Sequence, residues 1–451
     1  MRLNFPKNLI SLAENMPCSL FAVGGVVRNA IIDSKIVTED IDLCAPIKIE
    51  DFIPLLKEQG FSVVAEYNRS GTIVFTDGVY RYEFASFRTE SYVGGEHTPV
   101  TVEFTDDICK DALRRDFKCN AVYYDILRQE IVDVLGGVED IKNKVLSTVC
   151  QPEHVFKNDG LRLMRLARFA GELNFKPTKQ TIDGAKLYAN NIKDISGERI
   201  YDELIKILNS DEKYPFSDPM GHYTGLKILD ETRVLDRILP ELTDGRGMAQ
   251  RSDFHKYDVL EHSLRSVAYA DKSIRLPALM HDIGKPYCFR RDGWYHWHYV
   301  EGQTIAERAL KRLKASNEVI EQVKYLIREH MVDLDCSMNE KDVRIFLVKN
   351  RNELDSLIKV KQTDYRASLE SYDTAPTLVK WGEIYNKMQQ DGTPFTLKDL
   401  SLTTSDLMEI GYKGKALGTK MNDLFITAVR NPEYNNREYL LEKARKDFKD
   451  N

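Results

Sequence analysis

The hydrophobic period of this chain changes once along its length, and that change limits the fold more than any overall property. Up to about residue 145, apolar residues fall in short β-rich runs, FAVGG, DIDLC, FSVVAEY, TIVF, YRYEFASF, VTVEF and AVYYD, with brief helical patterns between them. From Phe156 onward, GLRLMRLARFAGEL, ERIYDELIKIL, GLKILDETRVLDRIL, TIAERALKRLK and VIEQVKYLIREH carry apolar residues at spacings of three and four, the signature of helices. The pattern predicts an α+β protein, a small mixed α/β head followed by a nearly all-helical remainder. Turn-forming or polar stretches at Cys150-Gln151-Pro152, Thr243–Asp253 and Gln389–Pro394 mark candidate joints. No fixed-period repeat or low-complexity tract is present.

At 451 residues and 42% apolar content the chain can bury several cores, which suggests roughly two to four domains. The net charge of −6 gives no global basicity, so RNA would have to bind a local basic patch. Cys18, Cys44, Cys109, Cys119, Cys150, Cys288 and Cys336 are scattered and form no CxxC, which argues against a disulfide framework or zinc ribbon and fits a reducing cytoplasm. No apolar run approaches the roughly 20 residues that span a bilayer, and the start MRLNFPKNLISLAENMP lacks a leader's apolar core, so a soluble, unprocessed protein is expected.

Chemistry first shows in SLFAVGGVVRNAIIDSKIVTEDIDLC, residues 19–44. In a strand, residues two apart share a face, so Asp40 and Asp42 present their carboxylates together. Two magnesium ions about 3.5–4 Å apart require such an acidic pair. Gly24 and Gly25 let backbone N–H groups approach phosphate oxygens, and Arg28 adds a charge-assisted contact. DxD is also a common surface tripeptide and GG a common turn; it is their ordered combination that points to a metal-bound nucleoside triphosphate.

GGVVRN followed by DIDLC resembles the nucleotidyltransferase motif of the class II CCA-adding enzymes and bacterial poly(A) polymerases. The resemblance continues in order through SFRTESY, DALRRDFKCNAVYYD, FKNDGLRLMRLARFAGELNF, GERIYDEL and DLMEIGYKGKALG, and so covers essentially the whole chain. Asn29 stands where the family usually carries Asp, and Asn158 where it usually carries Glu. The resemblance implies a polymerase β-like head in which Asp40 and Asp42 hold catalytic Mg2+. It implies that Arg114, Arg115, Asp116 and Asn120 help hold the nucleotide. Guanidinium forks suit phosphate better than lysine does, which agrees with that assignment.

Asp159 and Arg162 lie three apart in an expected helix and so share a face. A carboxylate acceptor beside a guanidinium donor matches cytosine and adenine, each of which offers an exocyclic amine next to an acceptor ring nitrogen. Guanine and uracil present a carbonyl there and would leave Asp159 unpaired, a penalty large enough for selection. The family's base-reading motif occupies these positions. Asn158 can only hydrogen-bond the arginine that a Glu would pin by charge, and Arg165 and Arg168 continue the same basic face. The loop Ser86–Pro99 carries a Gly94-Gly95 hinge, which in the family is associated with adding the final A, while Glu96 replaces an expected basic residue.

Six of nine histidines, His255, His262, His281, His296, His298 and His330, lie between residues 255 and 330. His262, His281 and Asp282 of HDIGKP, and Asp364 resemble the metal-binding signature of HD-domain phosphohydrolases. Imidazoles and carboxylates from separate helices can hold Ni2+, Mn2+ or Mg2+ and activate a water toward a phosphoester. His298 and His330 are candidate extra ligands or phosphate contacts, and His296 among its aromatic neighbours reads as a packed or surface residue. In the tail, GYKGKALGTK sets Lys413, Lys415 and Lys420 among glycines, a pattern able to grip a sugar-phosphate backbone and equally consistent with a helix cap beside solvated lysines.

The expected organisation is a nucleotidyltransferase head over 1–145, a helical neck and body over 146–250, an HD domain over 251–370 and a helical tail contacting tRNA over 371–451. The expected activity is template-independent addition of C, C and A to a tRNA 3′ end from CTP and ATP, with restricted CC, A or poly(A) addition as alternatives. A phosphohydrolase acting on RNA ends or nucleotides is the expectation from another class.

Overall fold

The computed structural model describes residues 3–36, 40–92, 99–251 and 255–449. The head is built on a seven-stranded sheet. Its strands are β1 (Phe21–Val23), β2 (Asp40–Ala45), β3 (Ser62–Tyr67), β4 (Thr72–Thr76) and β5 (Arg81–Ser86), joined later by β8 (Tyr123–Asp125) and β9 (Glu130–Val132). Between them in sequence, β6 (Arg88–Ser91) and β7 (Thr101–Phe104) pair as a separate antiparallel hairpin, so the expected strand VTVEF does not join the main sheet. The sheet order is β3-β4-β5-β2-β1-β8-β9, and only β2 and β5 run parallel.

One face of the sheet is sealed by aromatic packing. The register sets Ile41 beside Tyr82 and Leu43 beside Phe84, and Phe52 of the helix Ile49–Glu58 stacks on Phe84 at 4.0 Å. Phe75 stacks on Tyr82 at 4.9 Å. Each of these side chains leaves water at a gain of roughly 1.5–3 kcal/mol, so the face that carries them is fixed inward. The period of two then forces Asp40 and Asp42 to the opposite, open face.

By packing, the chain divides into two compact units after Asp244, inside the polar stretch Thr243–Asp253; the first also takes Arg308–Ser316. In the first unit the helix Leu161–Leu173 is almost wholly buried and lies close against Gly221–Glu231, where a Cβ on Gly171 would come within 2.5 Å of the Gly221 carbonyl oxygen. The second unit is helical. One core gathers Leu326, Val343, Val360, Trp381 and Val429, with the Trp381 indole N–H donating to Asp333 at 2.9 Å; a smaller core gathers Leu407, Tyr412, Leu424 and Leu440. The architecture is a mixed α/β head with a mostly helical remainder. Among the described residues, no helix is long and apolar enough to cross a membrane.

Candidate active site

All thirteen candidate residues of the head and neck line one cleft of about 920 Å³ in the first unit: Gly24, Gly25, Arg28, Asp40, Asp42, Arg114, Arg115, Asp116, Asn120, Asp159, Arg162, Arg165 and Arg168. Gly24 takes φ +74°, and a Cβ there would meet Asp42 Oδ2 at 3.0 Å. Glycine is what lets the start of the helix Gly25–Ile32, which no side chain caps, approach the carboxylate strand.

The parallel register places Glu83 beside Asp42, a third carboxylate that sequence reasoning missed. Asp42 lies on the solvent-accessible face of its strand yet is crowded by protein. Burial, then the like charges of Glu83 and Asp40, raise its pKa to about 6 against the pull of Arg115 and Arg165. Hard oxygen donors held together against their own repulsion are a donor set suited to a divalent cation.

Arg28 is 2% exposed and donates to Asn29 Oδ1 through Nε at 3.1 Å and Nη2 at 2.8 Å, and to Asn120 Oδ1 at 2.5 Å. Its guanidinium lies 5.4 Å from the Phe169 ring. These oxygens belong to neutral amides, so the Asn29 departure leaves the Arg28 charge without a carboxylate partner among the described residues. Arg114 and Arg115 are placed differently. Asp111, fully buried and absent from the sequence expectations, pairs with them at 2.7 and 3.0 Å. Burial opposes its ionisation, yet Arg115 and Arg114 hold it well below the usual carboxylate range. Both arginines therefore line the cleft as braced groups. Asp116 pairs with Arg165 at 2.6 Å and accepts from Asn120 at 3.1 Å, and Arg168 pairs with Glu203 and Glu172 at 2.7 and 3.0 Å.

The expectation that Asp159 lies within a helix is corrected. It occupies the joint between the helices Pro152–Asn158 and Leu161–Leu173, where its carboxylate accepts the Leu161 N–H at 2.9 Å, the local bond by which Asp competes with helix propagation. It remains 3.7 Å from Arg162. Burial, opposed by Arg162, raises its pKa to about 6. Arg162 donates to the carbonyl oxygens of Arg114 at 2.5 Å and Val155 at 3.5 Å, and lies 5.9 Å from the Tyr92 ring centroid. Two backbone carbonyls thus hold the guanidinium that Asn158 cannot pin by charge. Arg199, Lys213 and Tyr214 also line the cleft and were not anticipated; no charge pattern near them in sequence distinguishes them. Gly94, Gly95 and Glu96 lie outside the described residues, while the arms of their loop form the hairpin β6-β7.

In the second unit, His262, His281, Asp282 and Asp364 converge. His262 Nε2 is 3.1 Å from His281 Nε2 and 3.0 Å from Asp364, and His281 Nε2 is 3.2 Å from Asp282. His298 and His330 approach the other oxygen of Asp282 at 3.3 and 3.8 Å. The groups His262-His281-Asp282 and Asp282-His298-His330 each have ligand atoms within 4.8 Å of one another. His281, His298 and His330 each set Nδ1 against a backbone carbonyl, of Ala278, Tyr295 and Ile327 at 2.8, 2.8 and 2.7 Å. A carbonyl only accepts, so Nδ1 carries the hydrogen and a neutral ring turns a lone pair inward at Nε2. His298 and His330 then face each other at 3.3 Å as two acceptors, an arrangement a shared cation satisfies. His255 instead contacts Ser368 at 3.1 Å, and His296 is exposed.

In the tail, Lys413 and Lys415 are exposed at the start of the helix Gly414–Arg430. The expectation for Lys420 is corrected: it is buried and ion-paired with Asp447, which turns its charge inward and away from any phosphate backbone.

Residues 20–147 match the family described as poly A polymerase head domain, and residues 174–245 match the probable RNA and SrmB-binding site of polymerase A. The chain is 30% identical over 299 residues to an A-adding tRNA nucleotidyltransferase of Deinococcus radiodurans, covering 62% of this chain and 64%, just under two thirds, of that relative. It is 26% identical over 437 residues to a CCA-adding enzyme of Ligilactobacillus salivarius, covering 94% of this chain and 92% of the relative. The crystal structure of the Bacillus stearothermophilus CCA-adding enzyme in complex with CTP shares the fold, with a TM-score of 0.64 at 21% identity over 98% of each chain.

Proposed function

We propose that this chain, a member of the tRNA nucleotidyltransferase and poly(A) polymerase family, adds C, C and A to the 3′ end of tRNA from CTP and ATP without a template, releasing pyrophosphate. The observation that carries this reading is that one cleft brings together a carboxylate pair able to hold metal and a carboxylate–guanidinium pair able to read a base. Asp40 and Asp42, with Glu83 alongside, would hold Mg2+, which when bound supplies the charge that acidifies the RNA 3′ hydroxyl and neutralises the leaving pyrophosphate. Gly24, Gly25 and Arg28 receive the triphosphate. Asp159 accepts from the exocyclic amine of cytosine or adenine while Arg162 donates to the adjacent ring nitrogen. Arg165 and Asp116 brace that reader, and Arg114 and Arg115 shape the wall through Asp111. The proposal keeps the four-part organisation of head, neck and body, histidine-rich domain and tail, with the exposed Lys413 and Lys415 toward tRNA and a cytoplasmic location.

The test is to incubate the purified protein with magnesium, tRNA lacking its 3′ CCA and each labelled NTP, singly and together, and to size the products. Addition of C, C and A is expected, with loss of at least about 100-fold in Asp42→Ala, the scale of removing a transition-state charge partner. Addition of A alone, and only to tRNA ending in CC, would replace the reading with the A-adding activity named for the Deinococcus radiodurans relative. No incorporation would sink it.

The inward Nε2 lone pairs favour a second activity at the histidine–aspartate cluster. We propose that it holds divalent ions, Mn2+, Ni2+ or Mg2+, and hydrolyses phosphoesters of nucleotides or RNA ends. Metal-dependent phosphate release that disappears in Asp282→Ala is the expected result; release unaffected by that change removes the site.

A further inference from the structure

Beside the histidine–aspartate cluster the chain exposes an aromatic group that no core and no activity described so far explains. Trp294 is 69% and Trp297 59% exposed, and Tyr287, Phe289 and Val300 are exposed on the same stretch; the third tryptophan, Trp381, is 2% exposed. A single exposed apolar side chain is ordinary, whereas five on one stretch of fourteen residues, four of them aromatic, call for an explanation. Trp297 also takes φ +67°, left-handed backbone that a bulky residue adopts only when its surroundings hold it there.

Two contacts tie this loop to the cluster, and a third packs it. The Tyr295 carbonyl accepts from His298 Nδ1 at 2.8 Å, and so sets the ring that turns Nε2 toward Asp282. Lys285 Nζ lies 2.7 Å from Asp282 and 5.9 Å from the Tyr295 ring centroid. Phe289 stacks on Tyr295 at 5.3 Å. Aromatic rings therefore lead from the carboxylate at the centre of the cluster to the surface, and Trp297 directly precedes a cluster histidine.

We propose that Trp294 and Trp297, which flank Tyr295 in the chain, are a base-stacking platform for a nucleoside phosphate whose phosphate group sits at the histidine–aspartate cluster. This rests on the reading of that cluster as a metal site. Metal-bound phosphate fixes one end of the ligand, and the indoles offer the π-face that any unpaired base can cover. The platform selects nucleotides over small phosphates. A free nucleotide and the unpaired end of an RNA strand carry the same phosphate and base, and they are separated by the test.

The three tryptophans all lie in the second unit and none lines the transfer cleft, so tryptophan emission reports this site in the full chain. The full-length protein loaded with Mn2+ is titrated with AMP, with ribose 5-phosphate, and with a short single-stranded oligoribonucleotide ending in a 3′-phosphate. AMP is expected to quench emission and ribose 5-phosphate to leave it unchanged. Trp294→Ala, or Trp297→Gly, which suits the left-handed backbone, is expected to weaken AMP binding by about 5- to 150-fold, the range for loss of one base–aromatic stack. Calorimetric affinity for ribose 5-phosphate and bound Mn2+ stay unchanged in both variants. Tighter binding of the oligonucleotide than of AMP assigns the site to RNA ends, and the reverse assigns it to free nucleotides. Equal affinity for AMP and ribose 5-phosphate with no quenching overturns the platform while leaving the metal site standing. A wild-type protein that retains no Mn2+ overturns both.

Discussion

In the proposed reading, base selection rests on one ionisable carboxyl, that of Asp159. Burial, against the pull of Arg162, raises its pKa to about 6, so it is an acceptor above that pH and takes a proton as pH falls through it. An acceptor suits the amines of cytosine and adenine; once protonated, the group can instead donate to the carbonyl of uracil or guanine. The ratio of UMP to CMP incorporation at the first position should therefore rise several-fold between pH 7.5 and 5.5 in single-turnover assays. Asp159→Asn should discriminate poorly and show no such pH dependence; a flat ratio in the wild type would remove Asp159 from base selection. The spacing in sequence was enough to pair this residue with Arg162. It was not enough to show that Asp159 sits in a helix joint, or that the carbonyls of Val155 and Arg114 hold Arg162, because those contacts depend on how the joint packs.

At the level of elements, the alternation in DIDLC was legible because a period of two fixes which side chains share a face. Glu83 was not, since nothing local says that β5 is the strand beside β2. The same holds for Asp111, whose role depends on Arg114 and Arg115 folding back on it. The turn at Gly24 offers a sharp test of how the helix and strand meet. Gly24→Ala places a methyl group 3.0 Å from Asp42 Oδ2, a contact that the Asp42 side chain relieves only by moving, and at φ +74° and ψ −134° it also adds a backbone strain of about 1–3 kcal/mol. Nucleotide incorporation should fall about tenfold or more with the fold retained by circular dichroism, and unchanged kinetics would refute the packing argument. On the other wall, Arg199 and Lys213 bring cationic groups into the cleft from the segment matched to an RNA-binding family. Replacing both by alanine should raise KM for tRNA about 3- to 10-fold at 50 mM salt and less at 200 mM, with KM for CTP within about twofold, because contacts to the RNA backbone weaken as salt rises. A matching rise in KM for CTP would instead place them on the triphosphate.

Across the whole molecule, the change of hydrophobic period foretold an α/β head and a helical remainder. Each unit has its own cluster of convergent side chains, and the donors differ in kind. The first offers carboxylate oxygens, which suit magnesium, whereas the second offers four imidazoles around Asp282, which favour transition ions. Metal that binds only the folded state stabilises it by about 2.7 kcal/mol at a hundred times its dissociation constant, and the gain belongs to whichever unit holds the ion. Micromolar Mn2+ should therefore raise the melting temperature of the second unit's transition. Followed by tryptophan emission, which arises only in that unit, the shift should survive Asp42→Asn and disappear in Asp282→Asn. A shift lost in Asp42→Asn and kept in Asp282→Asn would reverse the assignment of the two metal sites.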